Sequence, residues 1–198
     1  MAEAGNAFAD EENRKGDTAD MEILDLYTAE REKTRKTMVR GEPTPAGFYR
    51  LVVHVCIFDS KGRMLIQQRQ PFKEGWSNMW DVSVGGSAVS GDSSRSAAER
   101  ETREELGLSI DLTDIRPSVT LHWENGFDDY YLLTQETDLQ ALHLQYEEVQ
   151  AVRWATEEEI IRMIDSGEFI PYEKNLIGLL FARRNHRSAH TGKDPTGG

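Results

Sequence analysis

The sequence predicts an α/β or α+β chain built on a mixed β-sheet, on three observations. An apolar, β-branched run at 51–58 passes through Ser60-Lys61-Gly62 into a second run at 63–68, the pattern of a hairpin. Further strand-like segments crowd the middle of the chain. Three stretches with helical periodicity, at 96–106, 156–167 and about 172–184, stand at intervals among them. The 198 residues suit a single domain, 21–185, with a tail at each end.

Taken in order, residues 1–20 are small, polar and acidic, leaving too little apolar surface to offset the entropy of ordering, and are expected to form a disordered tail. Residues 21–41 fit a β-hairpin with its turn among Glu30 to Lys33, or the start of a helix. GEPTPAG at 41–47 is a connector. In the run at 51–58, His54 shares a face with Cys56 and Phe58, and is expected to be a hydrogen-bonded, half-buried histidine. The second run ends at Arg69. A loop at 70–79 with Lys73, Gly75 and Trp76 follows, and WDVSV at 80–84 is a short strand that delivers the chain into a turn at Gly85-Gly86. Asp92 or Ser93 is the N-cap of the next helix and Gly107 its stop. Strands are expected at 118–123 and 130–134 around a turn at Glu124-Asn125-Gly126, and again at 149–154. Thr156 and Glu159 form a capping box before the stripe of Ile160, Ile161, Met163 and Ile164, which Gly167 ends. The last helix packs Leu176, Ile177, Leu179, Leu180 and Phe181 inward. Residues 186–198 form a second polar tail, whose His186 and His190 carry no specific role.

Twenty-three lysines and arginines against 35 aspartates and glutamates give a net charge of −12, so nothing pulls the whole chain toward nucleic acid or an anionic membrane. No apolar run reaches the roughly 18 residues that span a bilayer. The lone Cys56, set among apolar neighbours, implies a packed thiol in a reducing compartment. The N-terminus lacks the basic start and apolar middle of a signal peptide, so a cytoplasmic protein is expected.

Chemistry concentrates at 85–108, GGSAVSGDSSRSAAERETREELGL. On a helix Glu101, Glu104 and Glu105 are three and four apart and share one side, with Arg100 able to reach Glu104. A glutamate-rich helix is most often a solvated, salt-bridged surface. Carboxylates beside bare glycine backbone also suit a hard divalent cation that bridges to phosphate.

The spacing resembles the Nudix box, Gly-x5-Glu-x7-Arg-Glu-apolar-x-Glu-Glu-x-Gly-apolar. Gly86, Arg100, Glu101, Glu104, Glu105, Gly107 and Leu108 match it, while Asp92 replaces a glutamate and Thr102 an apolar residue. Glu148 and Trp154 ahead of a capped helix also look like Nudix domains, so the resemblance runs from about 21 to 184. It implies an α/β/α sandwich with a mixed sheet that hydrolyses a small-molecule diphosphate, such as a nucleoside diphosphate joined to another moiety. Carried over by position, Glu101, Glu104 and Glu105 would hold Mg2+ or Mn2+, with the Gly85 carbonyl a further candidate. Arg100 would orient the glutamates. Gly85 and Gly86 let the backbone approach a substrate closely, and Arg69 and Lys73, near the site on this topology, either meet phosphate oxygens or are solvated surface cations. Glu101, Glu124, Asp128 and Asp129 are candidates for the general base.

WDVSVGGSAVSGDS also resembles isopentenyl-diphosphate isomerases, but Gly85 stands at their catalytic cysteine and Ser87 at their metal-binding histidine. Three readings therefore stay open: a metal-dependent diphosphate hydrolase, an isomerase-like enzyme disfavoured by Gly85, and a Nudix-fold binding module without catalysis. Trp76, Trp123, Phe127 and Tyr131 could stack a base, although such residues are more often core. Residues 21–41 could also be an arm that makes a homodimer.

Overall fold

The structure, a computed structural model, describes residues 21–186 and 188–190. The tail expected at 1–20 lies outside the described residues, as do 187 and 191–198 of the C-terminal tail. The chain runs β1 (Ile23–Tyr27), β2 (Lys33–Val39), β3 (Arg50–Phe58), β4 (Met64–Arg69), β5 (Trp80–Asp81) and β6 (Val84–Ser87). Then follow α1 (Ser94–Leu106), β7 (Val119–Trp123), β8 (Gly126–Thr134), β9 (Val149–Ala155), α2 (Glu157–Ser166) and α3 (Lys174–Arg183).

β3 is the axis of the molecule, and its period of two explains the layers. Leu51, Val53, Val55 and Ile57 face one way and pack with Leu65, Val84, Phe127 and Tyr131 under Ala97, Ala98 and Leu106 of α1. Cys56 and Phe58 face the other way, with Met64, Ile66, Tyr130 and Leu132 under Ile160 and Met163 of α2 and Ile177, Leu180 and Phe181 of α3. A strand covered on both faces must be apolar on both, which is why 51–58 reads as a continuous run rather than an alternation. The result is an α/β/α sandwich.

The sheet is mixed. β3 pairs in parallel with β8 from Arg50↔Gly126 to Phe58↔Thr134, and β8 pairs antiparallel with β7. Only Glu124 and Asn125 form the turn between these two strands; Gly126 already belongs to β8, where a Cβ would sit 2.4 Å from the Trp123 ring.

Two expectations about strands change. The hairpin of β3 and β4 exists, but the pair is in register only at Phe58↔Met64. Beyond it β4 turns away to join β5 and β9, and β3 accepts β6 along 52–55 instead. Gly85 and Gly86 are therefore strand residues of β6, opposite His54 and Val53, rather than a turn. The chain turns later, at Ser90 and Gly91, where Gly91 takes φ +95.

Within 21–41, β1 and β2 form a two-stranded antiparallel sheet with the reversal at 28–32, where the turn was expected among Glu30 to Lys33. As an arm it is bound to its own chain, since Leu24, Leu26 and Met38 pack with Phe48 and Val89. Arg31, at φ +64, ties it to the main sheet by donating from Nη1 and Nη2 to both oxygens of Asp129, at 3.1 and 2.7 Å. His54 does face with Cys56 and Phe58, but among the described residues no hydrogen bond holds it. Its ring stacks on Tyr130 at 4.5 Å, and its buried Nδ1 has no partner.

Candidate active site

The helix that carries the glutamates begins where its sequence allows. The Ser93 side chain accepts from Ser96 N and the Ser96 side chain returns the bond, a capping box that selects Ser93 over Asp92 as N-cap. Gly107, at φ +64, closes the other end. Thr102, the residue departing from an apolar pattern, is wholly buried with its hydroxyl donating to the Ala98 carbonyl at 2.7 Å, so it disturbs neither packing nor hydrogen bonding.

α1 and β6 meet so closely that Glu101 fills the space beside Gly86. A Cβ on Gly86 would stand 2.2 Å from the Glu101 carboxyl carbon. The glycine is thus required by the site's own carboxylate. Glu101 and Glu105 are buried, whereas the Glu104 side chain is 47% exposed. Glu105 accepts from Gln67 Nε2 at 2.9 Å.

Arg100 organises this group. Its Nη1 lies 3.0 Å from Glu101 and 2.8 Å from Glu104, and its Nη2 donates to Asp92 at 3.0 Å and to the Ser87 carbonyl at 3.1 Å. Asp92 therefore anchors the arginine from the side away from the glutamates, and also accepts from Ser96 Oγ at 3.0 Å. The shorter acid still reaches its partners. Burial opposes the Arg100 charge, but the surrounding carboxylates outweigh it and hold the guanidinium firmly protonated.

Gly85, Gly86, Glu101, Glu104 and Glu105 line one small cavity of about 70 Å³. Glu22, Arg40, Arg69, Gln145 and Glu148 complete its wall. Burial first, and Glu104 next among the opposing carboxylates, pushes the Glu101 carboxyl up to about 7 despite Arg100. Burial and the neighbouring Glu101 drive Glu105 well above the usual carboxylate range. Five carboxylates and two guanidiniums line the wall, Arg100 pairs with two of the five, and all the side-chain donors to a cation would be hard oxygens. Such a wall suits a hard divalent cation, which would relieve the charge that burial penalises. As placed, no three His, Cys, Asp or Glu side chains among the described residues are gathered in a metal-holding group, and Arg100 instead pairs with Glu101 and Glu104.

The other expected residues divide. Arg69 lines the cavity, with its Nε donating to the Gly75 carbonyl at 3.0 Å. Lys73 does not line it, but pairs at 2.6 Å with Glu148, which does. Of the candidate bases only Glu101 is in the cavity. Glu124 is exposed in the turn before β8, and Asp128 accepts from Trp123 Nε1 at 2.9 Å. Asp129 is wholly buried and committed to Arg31, Ser94 and Thr120, bonds that outweigh burial and hold its carboxyl below the usual range. Phe127 and Tyr131 are core rather than stacking surfaces. Trp76 is exposed, as are Phe72 and Tyr146, whose rings lie 5.8 Å apart next to Lys73 and Gln145.

Sequence reasoning missed Glu22, Arg40 and Gln145, and gave Glu148 no role. Gln145 and Glu148 arrive because the frayed end of α1 needs donors: His143 N and Gln145 N bond the carbonyls of Leu106 and Glu105, each at 3.0 Å. No periodicity reports such a loop docking.

The profile of the NUDIX domain matches residues 48–174. An uncharacterised Nudix hydrolase of Listeria innocua is 51% identical over 170 residues, covering 86% of this chain and 99% of that protein. A crystal structure from Deinococcus radiodurans superposes with a TM-score of 0.65 at 28% identity, covering 83% of this chain and 99% of its own. The isopentenyl-diphosphate Delta-isomerase of Serratia proteamaculans is 39% identical over only 61 residues, 31% of this chain and 34% of the isomerase.

Proposed function

The chain belongs to the Nudix hydrolase family, whose members act on phosphoric anhydrides, and on that premise we propose that it is a divalent-metal-dependent pyrophosphohydrolase. The substrate class is a nucleoside diphosphate linked to another moiety, or a related organic diphosphate. The observation that carries this reading is the cavity where Glu101 and Glu105 are buried beside Gly86, with too few cations to balance them.

Glu101, Glu104 and Glu105 would hold Mg2+ or Mn2+, which when bound supplies positive charge to the diphosphate and acidifies water. Arg100 keeps the three carboxylates aimed through its own ion pairs, and Asp92 keeps Arg100 in place. Arg69 meets phosphate oxygens at the wall. Cleavage of the P–O–P bond by water releases a proton, and Glu101 is the acceptor among the four candidate bases because it alone lines the cavity. A planar base on the substrate finds exposed aromatics at Phe72, Trp76 and Tyr146, on segments that border the cavity.

An isomerase reading has little to stand on. Gly85 offers no thiol, and Cys56 is wholly buried on the α3 side of the sheet, where burial pushes its thiol far up. A binding module without catalysis is separated from the hydrolase by substitution. Against a panel of nucleoside diphosphate sugars, dinucleotides, nucleoside triphosphates and prenyl diphosphates, Glu104→Gln and Glu105→Gln are expected to lower turnover roughly 100-fold or more. Unchanged hydrolysis of every active substrate in both variants removes the catalytic reading.

A further inference from the structure

Residues 21–41 precede the matched stretch 48–174, yet two of them reach the glutamate cavity. Glu22 lies just before β1 and Arg40 just after β2, at the open end of the hairpin. There Arg40 N donates to the Glu22 carbonyl at 2.9 Å, and Arg40 Nη1 to the Glu22 carboxylate at 2.5 Å. The hairpin is fastened to the site. Leu24 bridges Val89, Ser90 N donates to the Ile23 carbonyl at 2.7 Å, and Asp25 accepts from Ser90 Oγ at 2.8 Å and Gly91 N at 2.9 Å. These bonds join β1 to the turn that leads into α1, so Arg40 keeps its place relative to Glu101.

The charges single Arg40 out. Among the described residues it and Arg69 are the cations in the wall, and Arg69 already donates to a carbonyl. Arg100 spends its donors on Asp92, Glu104 and Ser87. Arg40 is half-exposed and has a single side-chain partner in Glu22. Burial opposes its charge, but Glu22, Glu101 and Glu148 outweigh burial and keep it cationic. An ion pair this open to water is weak, whereas a phosphate accepts two parallel bonds from one guanidinium. Exchange of Glu22 for a phosphate is therefore cheap and favourable.

We propose that Arg40 is a substrate-binding residue whose guanidinium leaves Glu22 to clasp a phosphate of the diphosphate. Glu22 holds it at the cavity until substrate arrives. The proposal rests on the hydrolase reading above, and it extends the site to chain outside the matched domain.

Methylenediphosphonate, whose P–C–P bridge resists hydrolysis, is the probe, titrated calorimetrically with magnesium into the full chain. Arg40→Ala is expected to weaken it about 10-fold, equivalent to about 1.4 kcal/mol. KM for the best substrate rises similarly while kcat stays within about 3-fold, and Arg40→Lys, which keeps the charge but not the fork, recovers part of the loss. Arg35→Ala, an exposed change on β2, behaves as the wild type. The proposal is overturned if Arg40→Ala binds within about 2-fold of wild type, if Arg35→Ala weakens binding equally, or if kcat collapses at unchanged KM. Should Arg40→Ala fold poorly, Arg40→Lys decides, because affinity equal to wild type in that variant also overturns it. Weakened binding with no diphosphate hydrolysed sinks the hydrolase reading and leaves Arg40 in place; intact hydrolysis with unchanged binding does the reverse.

Discussion

Glu101 occupies the volume that any side chain on Gly86 would claim, so the two positions act as one unit. Since the clashing atoms are the far end of a flexible side chain, Gly86→Ala can be accommodated by swinging the carboxylate aside. The fold should lose no more than about 1–2 kcal/mol in chemical denaturation, while kcat falls roughly 100-fold. A variant that keeps full turnover would show that Glu101 does not need its place. This contact was half legible in the sequence. The box spacing identifies both residues, but glycines usually suggest a turn, and only the pairing of β6 with β3 reveals a strand pressed against a carboxylate. Asp92 was legible as a departure and illegible as a function, because its link to Arg100 spans eight residues, from before the N-cap into α1.

At the scale of elements, the hairpin and α1 are locked together through one buried acid. Asp129 on β8 accepts from Arg31, Ser94 and Thr120, and Tyr131 donates to Ser94 at 3.0 Å. Removing Arg31 leaves the buried carboxylate without its cation, so Arg31→Ala is expected to cost about 2–3 kcal/mol in urea denaturation. Asp129→Asn in the Arg31→Ala background should restore part of this, and strictly additive losses in the double-mutant cycle would refute the coupling. Propensity locates β3, α1 and α2 well, because their caps and apolar periods are local. The single-pair register of β3 with β4 was hidden, since the choice between β6 and β4 as a neighbour is settled by packing far along the chain.

Across the whole molecule, the cavity couples stability to protons and metal. The Glu101 carboxyl titrates near 7 in the folded chain against an ordinary value of 4.5, so between these values the folded state binds more protons than the unfolded state. Metal-free protein should therefore lose stability as pH rises from about 4.5 to 7, with the penalty fully present above. Asp25, Asp59 and Asp129 titrate below their usual range and act oppositely, but their contribution is lost only as pH falls through that lower region. Calorimetric melting of chelated protein between pH 5 and 8 should slope downward, and added magnesium should flatten the slope by taking the proton's place. A flat chelated curve, or one that Glu101→Gln leaves unchanged, would sink this linkage.

The hairpin's position before the matched domain has a consequence for how such enzymes diversify. Glu22 and Arg40 are carried on a short, self-paired segment whose attachments to the domain are few and identifiable. Selectivity toward the charged end of a substrate can then change by exchange of this cassette alone, while the metal-holding helix stays untouched. Replacing residues 21–41 while keeping every letter of the box is expected to change which anhydride the enzyme prefers.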